Sequence, residues 1–168
     1  MDYVVEFTAL VDVIKFIARA QTPVQTATDG DVYENWNSSE IRFGGFNVAL
    51  EQVSYDNQLT TYRFVMYYGD RLMQDKSNVN SVIEDGVRVI QTVLNNVTNI
   101  NGVEVIFPVN YIPFEQKFMD YLAGVYVTVD IQTESVLGVC ADLLSPEWRL
   151  GMPLPGKISP EELLQTGD

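Results

Sequence analysis

Histidine is absent from this 168-residue chain, and Cys140 is its single cysteine. Without histidine there is no Ser-His-Asp or Cys-His nucleophilic machinery, and the commonest zinc ligand is missing. One cysteine supports neither an intramolecular disulfide nor a Cys-x-x-Cys site. The expected compartment is therefore reducing, or one where redox state does not matter. Basic residues are scarce as well: ten Lys and Arg stand against 23 Asp and Glu, for a formal charge of −13. The ten are Lys15, Arg19, Arg42, Arg63, Arg71, Lys76, Arg88, Lys117, Arg149 and Lys157, and no two are adjacent. Phosphate binding needs clustered cations, so direct binding of nucleic acid is not expected. An anionic membrane surface would repel the chain. The plain consequence of the acidity is solubility; the sharper one is a surface that must not stick to nucleic acid. Long apolar runs are missing too. The stretch from Tyr3 to Ile17 is broken by Glu6, Asp12 and Lys15 and cannot span a bilayer. The first residues lack a basic n-region, so no secretory signal is expected. The glycosylation sequons at Asn37 and Asn96 then read as chance matches. No Gly-x-Gly-x-x-Gly or Walker-type loop is present, and no internal repeat.

What is present is apolar bulk. Hydrophobic residues make up 46% of the chain and aromatics 11%, and a chain of this length can bury roughly 70% of its unfolded surface. Tyr3, Phe7, Leu10, Ile14 and Ile17 recur in steps of four and three, one face of a first helix that Pro23 ends. Residues 21–45 are polar, and Thr26 to Asp31 has loop chemistry. Gly44-Gly45 marks a bend before the next element. Residues 46–55 and 59–69 read as two long strands joined by Tyr55-Asp56-Asn57-Gln58, a β-hairpin. In the second strand both faces carry bulk, so both should be covered. A Val-rich second helix follows over about 77–97. Its stripe is Val79, Ile83, Gly86, Ile90, Val93 and Val97, and its stability must come from packing more than from propensity. Val103, Val105, Phe107 and Val109 alternate as a third strand, Pro113 to Asp120 reads as a polar connection, and 122–133 is the cleanest strand. From Gly138 the periodicity fails among Pro146, Pro153, Pro155 and Pro160.

The expected architecture is thus an α+β domain over residues 1–137 and an extended C-terminal arm over 138–168. The sheet should be mixed or antiparallel, of about four strands, the long hairpin plus a C-terminal strand pair, with two helices packed on one face. The arm combines prolines with Leu143, Leu144, Trp148, Leu150, Met152 and Leu154. Such a segment exposes too much apolar surface to stand alone, so those six residues are the expected assembly interface. The competing expectation is a strap across the chain's own sheet.

No catalytic residues and no cofactor are expected. Asp29-Gly30-Asp31 with Glu34 could hold a hard cation through oxygen ligands, although the spacing is not that of an EF-hand loop; the plainer expectation is a polar turn. Glu84-Asp85 reads as a solvated helix face. Tyr55, Tyr62, Tyr67, Tyr68 and Tyr111 could stack bases, but only Arg63 is interleaved among them, so sheet packing is the expected role.

The element order also resembles a family. An amphipathic helix, a long hairpin, a Val-rich helix and a final strand pair, carried by Phe46 to Glu51, Tyr62 to Asp70, Asn80 to Gly86, Phe114 to Phe118 and Val125 to Val129, are similar to the tail-terminator and neck (head–tail connector) completion proteins of tailed bacteriophages. The resemblance covers residues 1–135 and rests on order and texture, with no fixed motif. It implies a non-enzymatic structural protein of the virion, assembled in the host cytoplasm. It implies a homo-oligomeric ring, stacked with other neck, portal or tail proteins, with DNA passing through without specific binding and no membrane partner. An acidic lumen would repel DNA phosphates. Two other classes fit the composition, an acidic inhibitor that mimics DNA and a small enzyme with a carboxylate site.

Overall fold

The computed structural model describes residues 7–38, 41–115 and 121–134. Along the chain the elements are α1 (Phe7–Arg19), β1 (Thr26–Asp29), α2 (Val32–Trp36), β2 (Gly45–Asp56), β3 (Leu59–Arg71), α3 (Val79–Val97), β4 (Val103–Ile106), β5 (Ile112–Glu115) and β6 (Leu122–Glu134). The class is α+β, as expected. The sheet is mixed and has six strands rather than about four, in the order β1-β2-β3-β6-β4, with β5 also paired to β6.

Three long antiparallel strands form its middle. β2 and β3 make the expected hairpin, with Asp56 opposite Leu59. The two turn residues, Asn57 (φ 50°) and Gln58 (φ 67°), take the left-handed conformation that a two-residue hairpin turn requires. β3 then pairs with β6 along its whole length, from Leu59↔Glu134 to Arg71↔Leu122. Period-two alternation fixes which side chains go inside. Phe64, Met66 and Tyr68 of β3 and Val125, Val127, Val129 and Ile131 of β6 are buried on one face. Fully burying an aliphatic or aromatic side chain of this size stabilises the fold by about 1.5–3 kcal/mol, so this face dominates the core.

Two helices cover it. α1 packs on β1, β2 and α3, and α3 packs on β3, β6 and β4. Leu10, Val11, Ile14 and Ala18 of α1 are buried, and so are Val82, Gly86, Val89, Ile90, Val93, Leu94 and Val97 of α3. The first helical stripe is therefore borne out from Phe7 onward; Tyr3 lies outside the described residues. α3 has no side-chain N-cap and no acidic residue in its first turn, which leaves packing as its main support. Gly86 permits that packing. A Cβ there would sit 2.7 Å from Val125 Cγ2 and 2.9 Å from Tyr68 Cδ1.

Three expectations need correcting. Thr26 to Asp31 is not simply a loop: Thr26–Asp29 runs parallel to Gly45–Val48 as β1, and Asp31 caps α2, a helix beyond the two expected. β1 is too short for alternation to reveal it, and its residues are small or polar. Second, Ile112–Glu115 of the supposed polar connection is a strand, paired to Ala123–Tyr126. Pro113 disguised it, because proline cannot donate to a ladder and is confined to edges such as this one. Third, the third strand ends at Ile106, so Phe107 and Val109 are not part of it. Residues 116–120 and the arm lie outside the described residues.

Candidate functional site

The sheet's second face, opposite α1 and α3, carries a smaller apolar cluster. Val32, Trp36, Phe114 and Leu122 are buried there, with Ile41, Phe43, Tyr67 and Tyr126 packed around them. Trp36 arrives from α2 and is edge-on to Phe43 at 5.8 Å and to Tyr67 at 6.1 Å between centroids, while Tyr67 stacks on Tyr126 at 5.3 Å. Its indole lies on a floor of glycine. Gly45 and Gly69 are register partners, and a Cβ on Gly69 would meet the Trp36 ring at 2.7 Å. Both faces of β3 are thus covered at this end, as its bulk on both sides requires. Farther along, the second face turns polar, and Arg63 grips its cross-strand partner Asp130 through Nε (2.8 Å) and Nη2 (3.1 Å).

A buried polar knot holds α2 and β1 in place. Asn47 is fully buried on β2. Its Oδ1 accepts from Thr28 Oγ1 (2.7 Å) and Asn35 Nδ2 (2.9 Å), and its Nδ2 donates to the Gly30 carbonyl (3.0 Å). Asn35 Nδ2 also donates to the Asp29 carbonyl. A buried amide costs several kcal/mol unless it is paired, and here the pairing ties strand, turn and helix together. Sequence reading missed Asn47; an isolated asparagine between Phe46 and Val48 in an otherwise apolar strand start was the available signal.

The candidate cation ligands are engaged in other roles. The Asp29 carboxylate accepts from Lys15 Nζ at 2.6 Å, a bond that raises the Lys15 pKa above its ordinary value. Asp31 caps α2, its Oδ1 accepting from the Tyr33 and Glu34 amides. Glu34 faces a shallow cleft of about 440 Å³ lined also by Thr26, Thr28, Asn35, Ser38 and Ile41. Among the described residues no three acidic, Cys or His side chains gather to hold a metal. Glu84 lies on a solvated helix face, paired with Arg88 at 3.0 Å, as expected.

The five tyrosines do not make one platform. Tyr68 is buried under α3, Tyr67 faces the opposite side, Tyr62 stacks near Phe7, Tyr111 packs at the core margin, and Tyr55 is exposed. Burial raises the pKa of Tyr67, Tyr68 and Tyr111, so these hydroxyls stay neutral and act as packing groups. One carboxyl is unusual. Burial lifts Asp70 above its ordinary value and the charge of Asp85 adds to the rise, while a hydrogen bond from the Arg71 amide (2.7 Å) opposes it.

No model of a known protein family matches this chain, and no curated protein does.

Two stretches of the sheet's margin expose large apolar side chains among the described residues. One is the outer edge of β2. β1 pairs only with Gly45–Val48, so among the described residues no strand lies along β2 from Ala49 to Asp56. Leu50, Val53 and Tyr55 there are 41%, 51% and 67% exposed. Their partners Phe64, Tyr62 and Thr60 alternate on the helix side of the sheet, so the three form one stripe. The second includes exposed Ile106, Phe107 and Ile112, on β4, just after it and on β5. The six arm residues expected to form the interface, Leu143, Leu144, Trp148, Leu150, Met152 and Leu154, lie outside the described residues. No helix among the described residues is long and apolar enough to cross a membrane.

Proposed function

We propose that this chain is a structural virion protein, one subunit of a ring in the neck or tail-terminator region of a tailed bacteriophage. There it would join portal or head to tail around the DNA channel. The observation that carries the reading is the outer edge of β2 from Ala49 to Asp56, along which no strand lies among the described residues. A long strand with an unpaired edge and an apolar stripe is a liability for a lone domain and an asset for one that assembles. The fold supports the reading as well: a long three-stranded slab, backed on one face by two helices, is a rigid unit suited to repetition about an axis. The excess of 23 acidic over ten basic residues suits a passage for DNA, because it offers phosphates nothing to bind.

Solution mass and particle imaging test the proposal. The full chain should assemble into a closed oligomer with cyclic symmetry in averaged images. A monodisperse monomer at concentrations well above micromolar would overturn it. Duplex DNA should not bind at physiological salt. Tight binding that weakens steeply with added salt would reveal a basic patch and exclude a non-adhesive passage.

A further inference from the structure

We infer that the uncovered edge of β2 receives residues Glu147–Met152 from a neighbouring copy of this chain, added as an antiparallel strand. The inference rests on the ring reading and names the contact that closes it. Its first basis is the receptor. Among the described residues no strand pairs with the outer side of Ala49–Asp56, and the exposed stripe of Leu50, Val53 and Tyr55 faces the helix side. Strand addition satisfies such an edge through the main chain, while alternate side chains supply specificity.

The second basis is the pattern of the incoming segment. Trp148, Leu150 and Met152 alternate with Glu147, Arg149 and Gly151, and Pro146 and Pro153 bound the run. Prolines lack the amide that a ladder needs, so they delimit a strand of six residues. Within an arm that has no sustained periodicity, this short run alternates apolar with polar or small residues. Antiparallel docking places Trp148 against Tyr55, Leu150 against Val53 and Met152 beside Leu50, where the irregularity between Leu50 and Gln52 absorbs the unequal spacing. Aromatic and aliphatic cross-strand pairs of this kind stabilise sheets. On the other face Arg149 falls opposite Ser54, within diagonal reach of Asp56.

The third basis is tether length, which favours a neighbour over the chain's own edge. β6 ends at Glu134, opposite Leu59 at the hairpin tip. A strand added to its own β2 edge would lie three strand spacings away, about 14 Å. The stretch from Glu134 to Glu147 spans on the order of 40 Å when extended. That is well beyond what its own edge demands, and it suits a crossing to the next subunit.

Cysteine pairing in the full-length chain tests the inference. In a Cys140→Ser background, chains carrying Val53→Cys are co-expressed with chains carrying Leu150→Cys, with Trp148→Cys and Met152→Cys as companions for register and Lys157→Cys as a control. Mild oxidation should give a covalent dimer on a non-reducing gel for Val53→Cys with Leu150→Cys, at least ten times more than with the control. A dimer with no preference for position 150 or its two companions would overturn the docking. So would the absence of a dimer while the native mass stays oligomeric, and in that case the ring itself would stand. A monomeric mass would remove both. A further chain carries both Val53→Cys and Leu150→Cys; if its disulfide forms only within single chains, the neighbour is overturned and a strap across the chain's own sheet remains.

Discussion

At the scale of single residues, two positions show how the core weighs competing effects. Gly86 sits inside a helix, where alanine would gain about 1 kcal/mol from propensity. Its missing side chain nevertheless permits α3 to lie on the sheet, with Val125 and Tyr68 within 3 Å of the place a Cβ would occupy. Overpacking of this kind costs about 1–3 kcal/mol, so packing wins. Gly86→Ala should be destabilised in a urea series, and a gain in stability would mean that α3 can lift away freely. Asp70 offers a test in pH. Its carboxyl is raised in the fold by burial first and by Asp85 second, so the native state holds that proton more tightly than the unfolded chain does. Stability attributable to Asp70 is therefore present below the ordinary value of 3.8 and declines as pH rises through the raised one. Asp70→Asn keeps an acceptor for the Arg71 amide and removes the charge. It should be more stable than the parent at pH 7, and the two should converge near pH 3. A variant less stable than the parent at pH 7 would show that the ionised carboxylate has a partner.

At the scale of elements, legibility in the sequence followed length and period. β2, β3, β6, α1 and α3 each run for 12 residues or more. Over such spans a repeat of two or of 3.6 is unmistakable. β1, α2, β4 and β5 have four or five residues each. At that length local preference is weak, and tertiary contacts decide. α2 illustrates this: Val-Tyr-Glu-Asn-Trp holds little intrinsic helicity, but Asp31 caps it, Trp36 anchors it over Gly45 and Gly69, and Asn35 joins the Asn47 knot. Only the Asp31 cap is local in sequence; Gly45, Gly69 and Asn47 come from other elements. The candidate surface was legible to a different degree. The unpaired edge of β2 depends on where β1 stops, which no periodicity reveals, whereas the alternation of its stripe is plain once Phe64 and Tyr62 are placed. Asn47→Ala measures how far the knot holds the small elements. It leaves the Gly30 carbonyl and the Asn35 amide short of partners, and a buried group left unpaired costs about 1–3 kcal/mol. The expected loss is about 2 kcal/mol, with faster amide exchange concentrated in residues 26–36. A loss below about 0.5 kcal/mol, within the range of an inert surface change, would mean that Trp36 alone seats α2.

At the scale of the whole molecule, the described residues contain two core clusters of their own. The main cluster runs from Leu10 to Ile131 in sequence, and the smaller one from Val32 to Leu122. Each strand among the described residues has a partner between Thr26 and Glu134. A chain ended after Gly138 therefore keeps every residue of the two clusters and of the ladders found among the described residues. It should unfold cooperatively, with a midpoint within a few degrees of the full chain measured under conditions where both are monomeric, since association itself raises apparent stability. It should fail to assemble, because the segment that meets the β2 edge is gone while the edge remains. Three outcomes separate the explanations. A folded monomer places the arm at the interface between copies. A chain that no longer folds would place Leu143, Trp148 and their neighbours in the domain's own core, since losing several buried residues of 2–5 kcal/mol each would exceed a typical total stability of about 5–15 kcal/mol. A folded chain that still assembles would move the interface to the second exposed surface, Ile106, Phe107 and Ile112, where charged substitutions would then be the ones to abolish assembly.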